Sequence, residues 1–154
     1  MSDLKKLYQD VILEHSKNPK NFGTIEPCTH HGQGHNPLCG DKIDIFVALD
    51  KDGHIEDIKF DGKGCAISIA SASLMTQSLK GKTVSVAQDL FDQFQTFVAD
   101  GTETANTDIA NDSLSAMAGV RQFPARIKCA TLPWHAFKSA LQNDTVVTTE
   151  KVRS

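Results

Sequence analysis

Residues 42–61 read KIDIFVALDKDGHIEDIKFD, and this stretch indicates the architecture of the chain. Its first half alternates apolar with more polar residues, and the apolar face consists of Ile43, Ile45, Val47 and Leu49. A period of two predicts a strand with one buried face. Residues 50–53 are typical of a hairpin turn, and the returning strand over residues 54–61 has Ile55 out of phase, which indicates a bulge. The sequence therefore predicts an antiparallel hairpin.

Helical patterns lie on both sides of this hairpin. The first helix has an apolar stripe formed by Leu4, Leu7, Tyr8, Val11 and Ile12. Ser2 or Asp3 can cap this helix, and Asn18-Pro19 ends it. Small residues over 65–75 predict a second helix that packs closely on the sheet and ends by Gly81. A third helix is predicted from a stripe of Leu90, Phe94, Phe97 and Val98.

Two polar segments give weaker signals. Residues 24–38 contain Gly32, Gly34 and Pro37, so we expect a loop with at most a weak edge strand. Residues 102–112 are also predicted to form a loop. A short helix is expected after it, at Leu114, Met117 and Ala118.

Phe123-Pro124 is predicted to be a break, and the last predicted helix runs from about Cys129 to Leu141, with Pro133 tolerated in its first turn. Residues 1–143 are expected to form one domain, and residues 144–154 a flexible tail. These patterns together predict an α+β fold in which a small antiparallel sheet of about three strands packs against helices.

Composition limits the function. The chain has 154 residues, and its 16 Lys and Arg against 19 Asp and Glu give a net charge of −3. One domain of ordinary size is expected, and no net positive charge is available for a nucleic-acid backbone. The apolar runs are too short to span a membrane, so we expect a cytoplasmic protein with neither a membrane nor a nucleic-acid partner.

The four cysteines are the strongest candidates for metal-binding or reactive residues. They form no Cys-x-x-Cys pair, but Cys39, Cys65 and Cys129 each lie where a loop meets a regular element. A thiolate at a helix start is stabilised by the helix dipole, which favours Cys65 and Cys129. Asp41 lies two residues after Cys39, and three thiolates with one carboxylate would complete a tetrahedral zinc site. The alternative is that the cysteines are buried small apolar residues.

Three segments resemble a known family. They read NPLCGD at residues 36–41, GKGCAISIASAS at residues 62–73 and RIKCATLPW at residues 126–134. In this order and spacing they are similar to the signature segments of the SufU proteins, the zinc-binding branch of the IscU/NifU-type family. The resemblance extends from the first helix to about Leu141.

The resemblance implies sulfur handling for iron–sulfur cluster assembly. It implies one zinc ion bound by Cys39, Asp41, Cys65 and Cys129. A SufS-type cysteine desulfurase would dock, one of its side chains would replace Cys39 at the metal, and Cys39 would accept the persulfide sulfur. A downstream SufBCD-type scaffold complex would receive the sulfur. The chain would act as a sulfurtransferase together with the desulfurase, and not as a stand-alone enzyme.

Two features depart from the IscU branch. IscU-type scaffolds carry a histidine before the last cysteine, where this chain has Lys128, and residues 123–128 differ from their chaperone-binding motif. Residues 81–120 resemble an insertion typical of SufU proteins. An IscU-like scaffold that assembles a [2Fe–2S] cluster on the same ligands stays the alternative, and a module with a purely structural zinc is a third reading.

Other residues are left outside the predicted site. His30, His31 and His35 lie in a polar segment and are expected to be solvated, and Cys28 has no motif around it. Lys128 is either a solvated charge or a group that lowers the pKa of Cys129, and Trp134 is either a core residue or part of a docking face.

Overall fold

A computed structural model of the chain describes residues 2–25, 28–36, 40–100, 117, 119–120, 123–142 and 147–148. In chain order its elements are α1 (Ser2–Lys17), β1 (His30–Asn36), β2 (Asp41–Leu49), β3 (Ile55–Lys63), α2 (Ala66–Leu79), α3 (Val84–Asp100), α4 (Pro124–Leu141) and β4 (Val147–Thr148). The strands form one sheet in the order β3-β2-β1-β4. Strands β1, β2 and β3 are antiparallel, and the two-residue β4 runs parallel to β1. The predicted α+β class with a small antiparallel sheet is confirmed.

The hairpin of β2 and β3 is formed as the alternation predicts. Ile43, Ile45 and Val47 are fully buried, and the register shifts between Ala48 and Leu49. This irregularity buries Ile55 and is the predicted bulge. The hairpin therefore supplies the apolar centre of the sheet.

The expectation of a loop with a weak edge strand over residues 24–38 is wrong, because β1 is an inner strand between β2 and β4. Its inward positions carry almost no side chain. A Cβ atom on Gly32 would collide with the carbonyl oxygen of Ala136, and one on Gly34 would lie 2.9 Å from Leu132 Cδ1. The glycines let α4 pack directly on the strand backbone, so tertiary packing stabilises a segment that contains no apolar residue.

The last helix begins five residues earlier than predicted. Pro124 is at its N-terminal end, where a residue without an N–H is tolerated, so Phe123-Pro124 starts the helix and does not break it. As a result Cys129 lies in the second turn of α4, and Pro133 lies inside the helix. The expectation that Cys129 opens a helix is therefore wrong, whereas Cys65 is the N-cap of α2 as predicted.

Helix α1 ends at the predicted boundary and packs on α2. The buried His15 places Nδ1 2.6 Å from Ser73 Oγ, and the same hydroxyl accepts a hydrogen bond from the backbone N–H of Lys20 at 2.7 Å. Burial lowers the pKa of His15, with a smaller contribution from Lys20. These bonds hold α1 and the segment after it against α2.

The core is closed by α3 and α4. Trp134 is buried and stacks on Phe94 with ring centroids 4.6 Å apart, so Trp134 is a core residue. The predicted loop at residues 102–112 lies outside the described residues, as do Leu114 and Ala118 of the predicted short helix. Val147 and Thr148, from the segment expected to be a flexible tail, form β4. None of the helices among the described residues is long and apolar enough to cross a membrane.

Candidate metal centre

Three of the four predicted ligands lie together. The ligand atoms of Asp41, Cys65 and Cys129 are all within 4.8 Å of one another. Asp41 begins β2, Cys65 precedes α2, and Cys129 projects from α4, so three elements of the fold converge here. Cys39 lies outside the described residues, and the sequence places it in the connection 37–40 between β1 and β2.

Asp41 is fully buried and held at both carboxylate oxygens. Oδ1 accepts a hydrogen bond from the backbone N–H of Cys65, and Oδ2 accepts one from the Ser68 hydroxyl, each at 2.7 Å. The carboxylate thus caps the N-terminal end of α2 from a neighbouring strand, where the helix dipole favours negative charge. Gly64 leaves the space for it, because a Cβ atom there would lie 2.5 Å from Asp41 Oδ1.

Cys65 has the environment of a stabilised thiolate. Hydrogen bonding with the Cys129 side chain is the largest effect, and with hydrogen bonds from Ser68 it lowers the pKa of Cys65 from 9.0 to about 5. Burial and the charge of Asp41 act in the opposite direction. Cys65 Sγ lies 3.6 Å from Ser68 Oγ and 3.9 Å from Asp41 Oδ2. The site therefore favours the deprotonated sulfur that binds metals and reacts as a nucleophile.

Cys129 is more deeply buried than Cys65. The residue is fully buried, and its sulfur accepts a hydrogen bond of 3.6 Å from the side-chain N–H of Asn36. Asn36 is also fully buried, and its Oδ1 has no hydrogen-bond partner among the described residues. Cys129 is thus held from the sheet side, and Cys65 from the start of α2.

Four basic residues lie next to the ligands or Gly64 in the sequence or within one helical turn of them. Lys42 and Lys63 are cross-strand partners next to Asp41 and Gly64, and Arg126 and Lys128 precede Cys129 on α4. All four basic side chains are exposed.

An apolar groove adjoins the site. Its volume is about 570 Å³, and it lies between α1 and the N-terminal ends of α2 and α4. Its lining includes Tyr8, Ile12, Leu13, Ile67, Phe123 and Arg126. Leu13 and Phe123 are about half exposed, at 54% and 45%. An exposed apolar surface, with Arg126 in its lining, therefore borders the ligand cluster.

The histidines left out of the site do not reach it. His31 places Nε2 3.0 Å from Asp44 Oδ1 and stacks on Phe46, on the sheet face opposite α4. His35 is exposed on the same face. A second group of potential ligands, Asp50, Asp52 and His54, is exposed in the β2–β3 turn. The Asp50 carboxylate there accepts hydrogen bonds from the backbone N–H groups of Asp52 and His54, which accounts for their closeness.

Sequence reasoning missed Asn36 and Ser68, which contact the predicted ligands. Ser68 has a local signal, since it lies three residues after Cys65 and this is the spacing of an N-cap and its N3 partner. Asn36 has no such signal, because its partner Cys129 is 93 residues away. Only the packing of α4 on β1 brings them together.

The residues fit zinc. Thiolate and carboxylate are both zinc ligands, and sites of four ligands are typical. The buried carboxylate has both oxygens fixed by hydrogen bonds, Cys129 accepts a hydrogen bond from Asn36, and Cys65 accepts one from the backbone N–H of Ser68. Asp41, Cys65 and Cys129 would hold the ion, with the fourth position left for a residue of the adjoining connection.

We expect the low pKa of Cys65 to appear in its reactivity. In metal-free folded protein, iodoacetamide should alkylate Cys65 down to about pH 5, whereas in the urea-unfolded chain the reaction should decline below roughly pH 8.5. Mass spectrometry of the peptide containing Cys65 measures this. Because the folded pKa is the lower one, the thiolate stabilises the fold fully above the unfolded pKa, and this contribution is lost as the pH falls through about 5. The same pH profile in folded and unfolded chains would contradict the assignment.

Comparison with known families agrees with this geometry. The family described as NifU-like N terminal domain matches residues 7–130, and the chain belongs to this family. The chain is 40% identical over 143 residues to the Zinc-dependent sulfurtransferase SufU of Bacillus subtilis, covering 93% of this chain and 95% of the relative. It is 42% identical over 142 residues to the Iron-sulfur cluster assembly scaffold protein IscU of Streptococcus pyogenes, covering 92% and 87%. The resemblance inferred from the three segments is thus confirmed at the level of the family.

A solved structure supports the same assignment. The putative iron-sulfur cluster assembly scaffold protein for the SUF system from Fervidobacterium islandicum superposes with a TM-score of 0.80 and 32% identity. The match covers 88% of this chain and 97% of that protein. The two chains therefore share their fold over almost their whole length.

Proposed function

We propose that this protein takes sulfur from a SufS-type cysteine desulfurase and passes it to a SufBCD-type scaffold complex for iron–sulfur cluster assembly. The observation that carries the proposal is the convergence of Asp41, Cys65 and Cys129 at the base of the connection that contains Cys39. The similarity to the Bacillus subtilis zinc-dependent sulfurtransferase supports it.

Zinc is the proposed resident metal, bound by Cys39, Asp41, Cys65 and Cys129. When bound, it keeps thiols deprotonated and protected from oxidation. The chain itself contributes a fixed carboxylate and two hydrogen-bonded sulfurs, so most of the site is formed by the fold.

Cys39 is the proposed sulfur acceptor because of its place in the sequence, between β1 and β2. Cys65 is the N-cap of α2 and Cys129 lies in the second turn of α4, whereas in the sequence Cys39 comes between the end of β1 and the start of β2. We propose that Cys39 leaves the ligand set when the desulfurase docks, and that a side chain of the desulfurase takes its place. The exposed apolar groove and basic residues next to the site offer a contact surface there.

The transfer itself is a thiol–disulfide type of exchange. The Cys39 thiolate attacks the outer sulfur of the persulfide on the desulfurase, and a new S–S bond forms. The original S–S bond breaks, and its electron pair stays on the cysteine of the desulfurase as a thiolate. Cys39 then carries one additional sulfur, which a downstream thiol can accept by the same exchange.

An IscU-like scaffold is the second candidate. The identity of 42% to the Streptococcus pyogenes scaffold protein favours it, and thiolate and carboxylate ligands suit iron as well as zinc. Lys128 argues against it, because this position holds a lysine where IscU-type sequences carry a histidine ligand. The two candidates differ in the metal that the purified protein should contain.

Analysis of the metal and acid-labile sulfide content distinguishes the zinc-dependent sulfurtransferase from the iron–sulfur scaffold. In protein purified anaerobically and without a tag, we expect about one zinc per chain and no sulfide. The matched controls are Cys65→Ala, which should lose the zinc, and Cys28→Ala, which should keep it because Cys28 is outside the ligand group. Iron with an equal amount of sulfide would overturn the zinc assignment in favour of the scaffold. If the chelated protein unfolded, zinc would have a structural role.

A further inference from the structure

We propose that Asn36 is a positioning residue of the metal centre, whose side-chain amide holds the sulfur of Cys129 where Asp41 and Cys65 converge. The inference rests on the proposed function only in taking Cys129 as a metal ligand. Asn36 is not one of the four ligands predicted from the sequence, and it would act by holding one of them.

The place of Asn36 in the sheet is the first argument. Asn36 is the last residue of β1 and is paired in register with Asp41, the first residue of β2. Both are fully buried, and they are the strand ends on either side of the connection that contains Cys39. The side chain of Asn36 donates from Nδ2 to Cys129 Sγ at 3.6 Å. One residue thus links the sheet, the connection and α4 at the site.

The unsatisfied oxygen of Asn36 is the second argument. Its Oδ1 is buried and has no hydrogen-bond partner among the described residues. A buried carbonyl oxygen without a partner costs free energy, and leucine would fill a similar volume without that cost. Among the contacts that the structure describes, packing alone therefore does not explain an amide here. The N–H contact with Cys129 does, because hydrogen bonds to metal ligands orient them and tune their charge.

The packing of α4 on β1 explains why this side chain is needed. Along the inner face of β1, Gly32 contacts α4 at Ala136 and Ala140, and Gly34 contacts it at Leu132. At both glycines the helix meets the strand backbone directly. At the next inward position the partner is Cys129, and there a side chain extends from the strand to the helix. Asn36 thus fixes the distance between the end of β1 and the sulfur of Cys129.

The other two ligands are held by different groups. Asp41 is fixed by the backbone N–H of Cys65 and by Ser68, and Cys65 also contacts Ser68. Loss of the Asn36 amide should therefore affect the Cys129 ligand while leaving the Asp41 and Ser68 contacts in place. This separation makes the proposal testable by spectroscopy.

The test compares Asn36→Leu and Asn36→Ala with the matched control Ser71→Ala. Ser71 is fully buried and donates to the carbonyl oxygen of Ala130 on α4, so the control removes a buried contact to the same helix that involves neither sulfur. Zinc affinity is measured by competition with a chromophoric chelator, and cobalt(II) absorption reports thiolate coordination. We expect both Asn36 variants to bind zinc about 10–100-fold more weakly and to show weaker thiolate-to-cobalt charge-transfer bands. Ser71→Ala should match the wild type.

Comparing the two Asn36 variants shows whether Asn36 acts as a hydrogen-bond donor to Cys129 or only fills space. If Asn36→Ala binds weakly but Asn36→Leu binds as the wild type does, Asn36 only fills space and the proposal is overturned. Unchanged affinity and cobalt spectra in both folded variants overturn it as well. If the wild type itself binds neither metal, it is the proposed metal centre that fails, which is a different result. Should Asn36→Leu not fold, as judged by circular dichroism, Asn36→Val provides the same loss of donor in a smaller side chain.

Discussion

Replacing Cys39 with alanine is expected to abolish the stimulation of a SufS-type desulfurase, measured as alanine released from cysteine. The reason is chemical, since alanine has no sulfur to attack the persulfide and the desulfurase then keeps its sulfur. Zinc should remain bound through Asp41, Cys65 and Cys129, with water in the fourth position. Loss of stimulation in a variant that retains zinc separates the acceptor role of Cys39 from its ligand role.

Two controls make this result specific. Cys28→Ala removes a thiol that lies outside the ligand group and should stimulate the desulfurase as the wild type does. Mass spectrometry of the wild type after reaction should show one additional sulfur on the peptide that contains Cys39. If Cys39→Ala stimulated alanine release to the wild-type level, another residue would be the acceptor, although the metal assignment would stand.

Those parts of the fold that depend on the pattern of neighbouring residues can be predicted from the sequence. The hairpin of β2 and β3 follows from the alternation of Ile43, Ile45 and Val47, and its bulge from the phase of Ile55. Helix α2 could be predicted from small residues alone, although it has no clear apolar stripe. In each case, neighbours in the sequence determine the backbone conformation.

Strand β1 and the start of α4 could not be predicted in this way. The strand has the sequence HHGQGHN, whose glycines indicate a loop when read locally. They are in fact positions of close approach to a helix about 100 residues away in sequence. The start of α4 lies five residues before the predicted one, because a proline can mark a break or occupy the first turn of a helix, and Pro124 does the latter.

The site also combines residues that have a local sequence signal with residues that have none. Asp41, Cys65 and Cys129 could be selected from their residue types and their motifs, and the fold brings them within 4.8 Å. The groups that hold them are the hydroxyl of Ser68 and the amide of Asn36, which are ordinary residues in the sequence. Their role depends on contacts between separate elements, and single-sequence patterns do not contain these contacts.

Gly32→Ala is expected to disrupt the packing of β1 on α4. The added methyl group would collide with the carbonyl oxygen of Ala136 and lie 2.6 Å from the backbone N of Ala140. Both are helix backbone atoms, so no side-chain rotation relieves the contact and α4 has to move away from the sheet. We expect a loss of about 3 kcal/mol in the free energy of unfolding, at the upper end of the usual cost of overpacking. Thermal unfolding should occur roughly 10 °C lower.

Gly53→Ala is the matched control, because it adds the same methyl group at a position with no neighbouring atom within 4 Å. Gly53 has φ +84°, so alanine there costs only the backbone strain of the left-handed region, about 1 kcal/mol. Gly32→Ala should also weaken zinc binding, since moving α4 displaces Cys129 from Asp41 and Cys65, whereas Gly53→Ala should leave zinc binding unchanged. Equal melting temperatures for the two variants would mean that α4 does not pack on the backbone of β1. A destabilised Gly32→Ala protein with normal zinc affinity would mean that this packing does not set the position of Cys129.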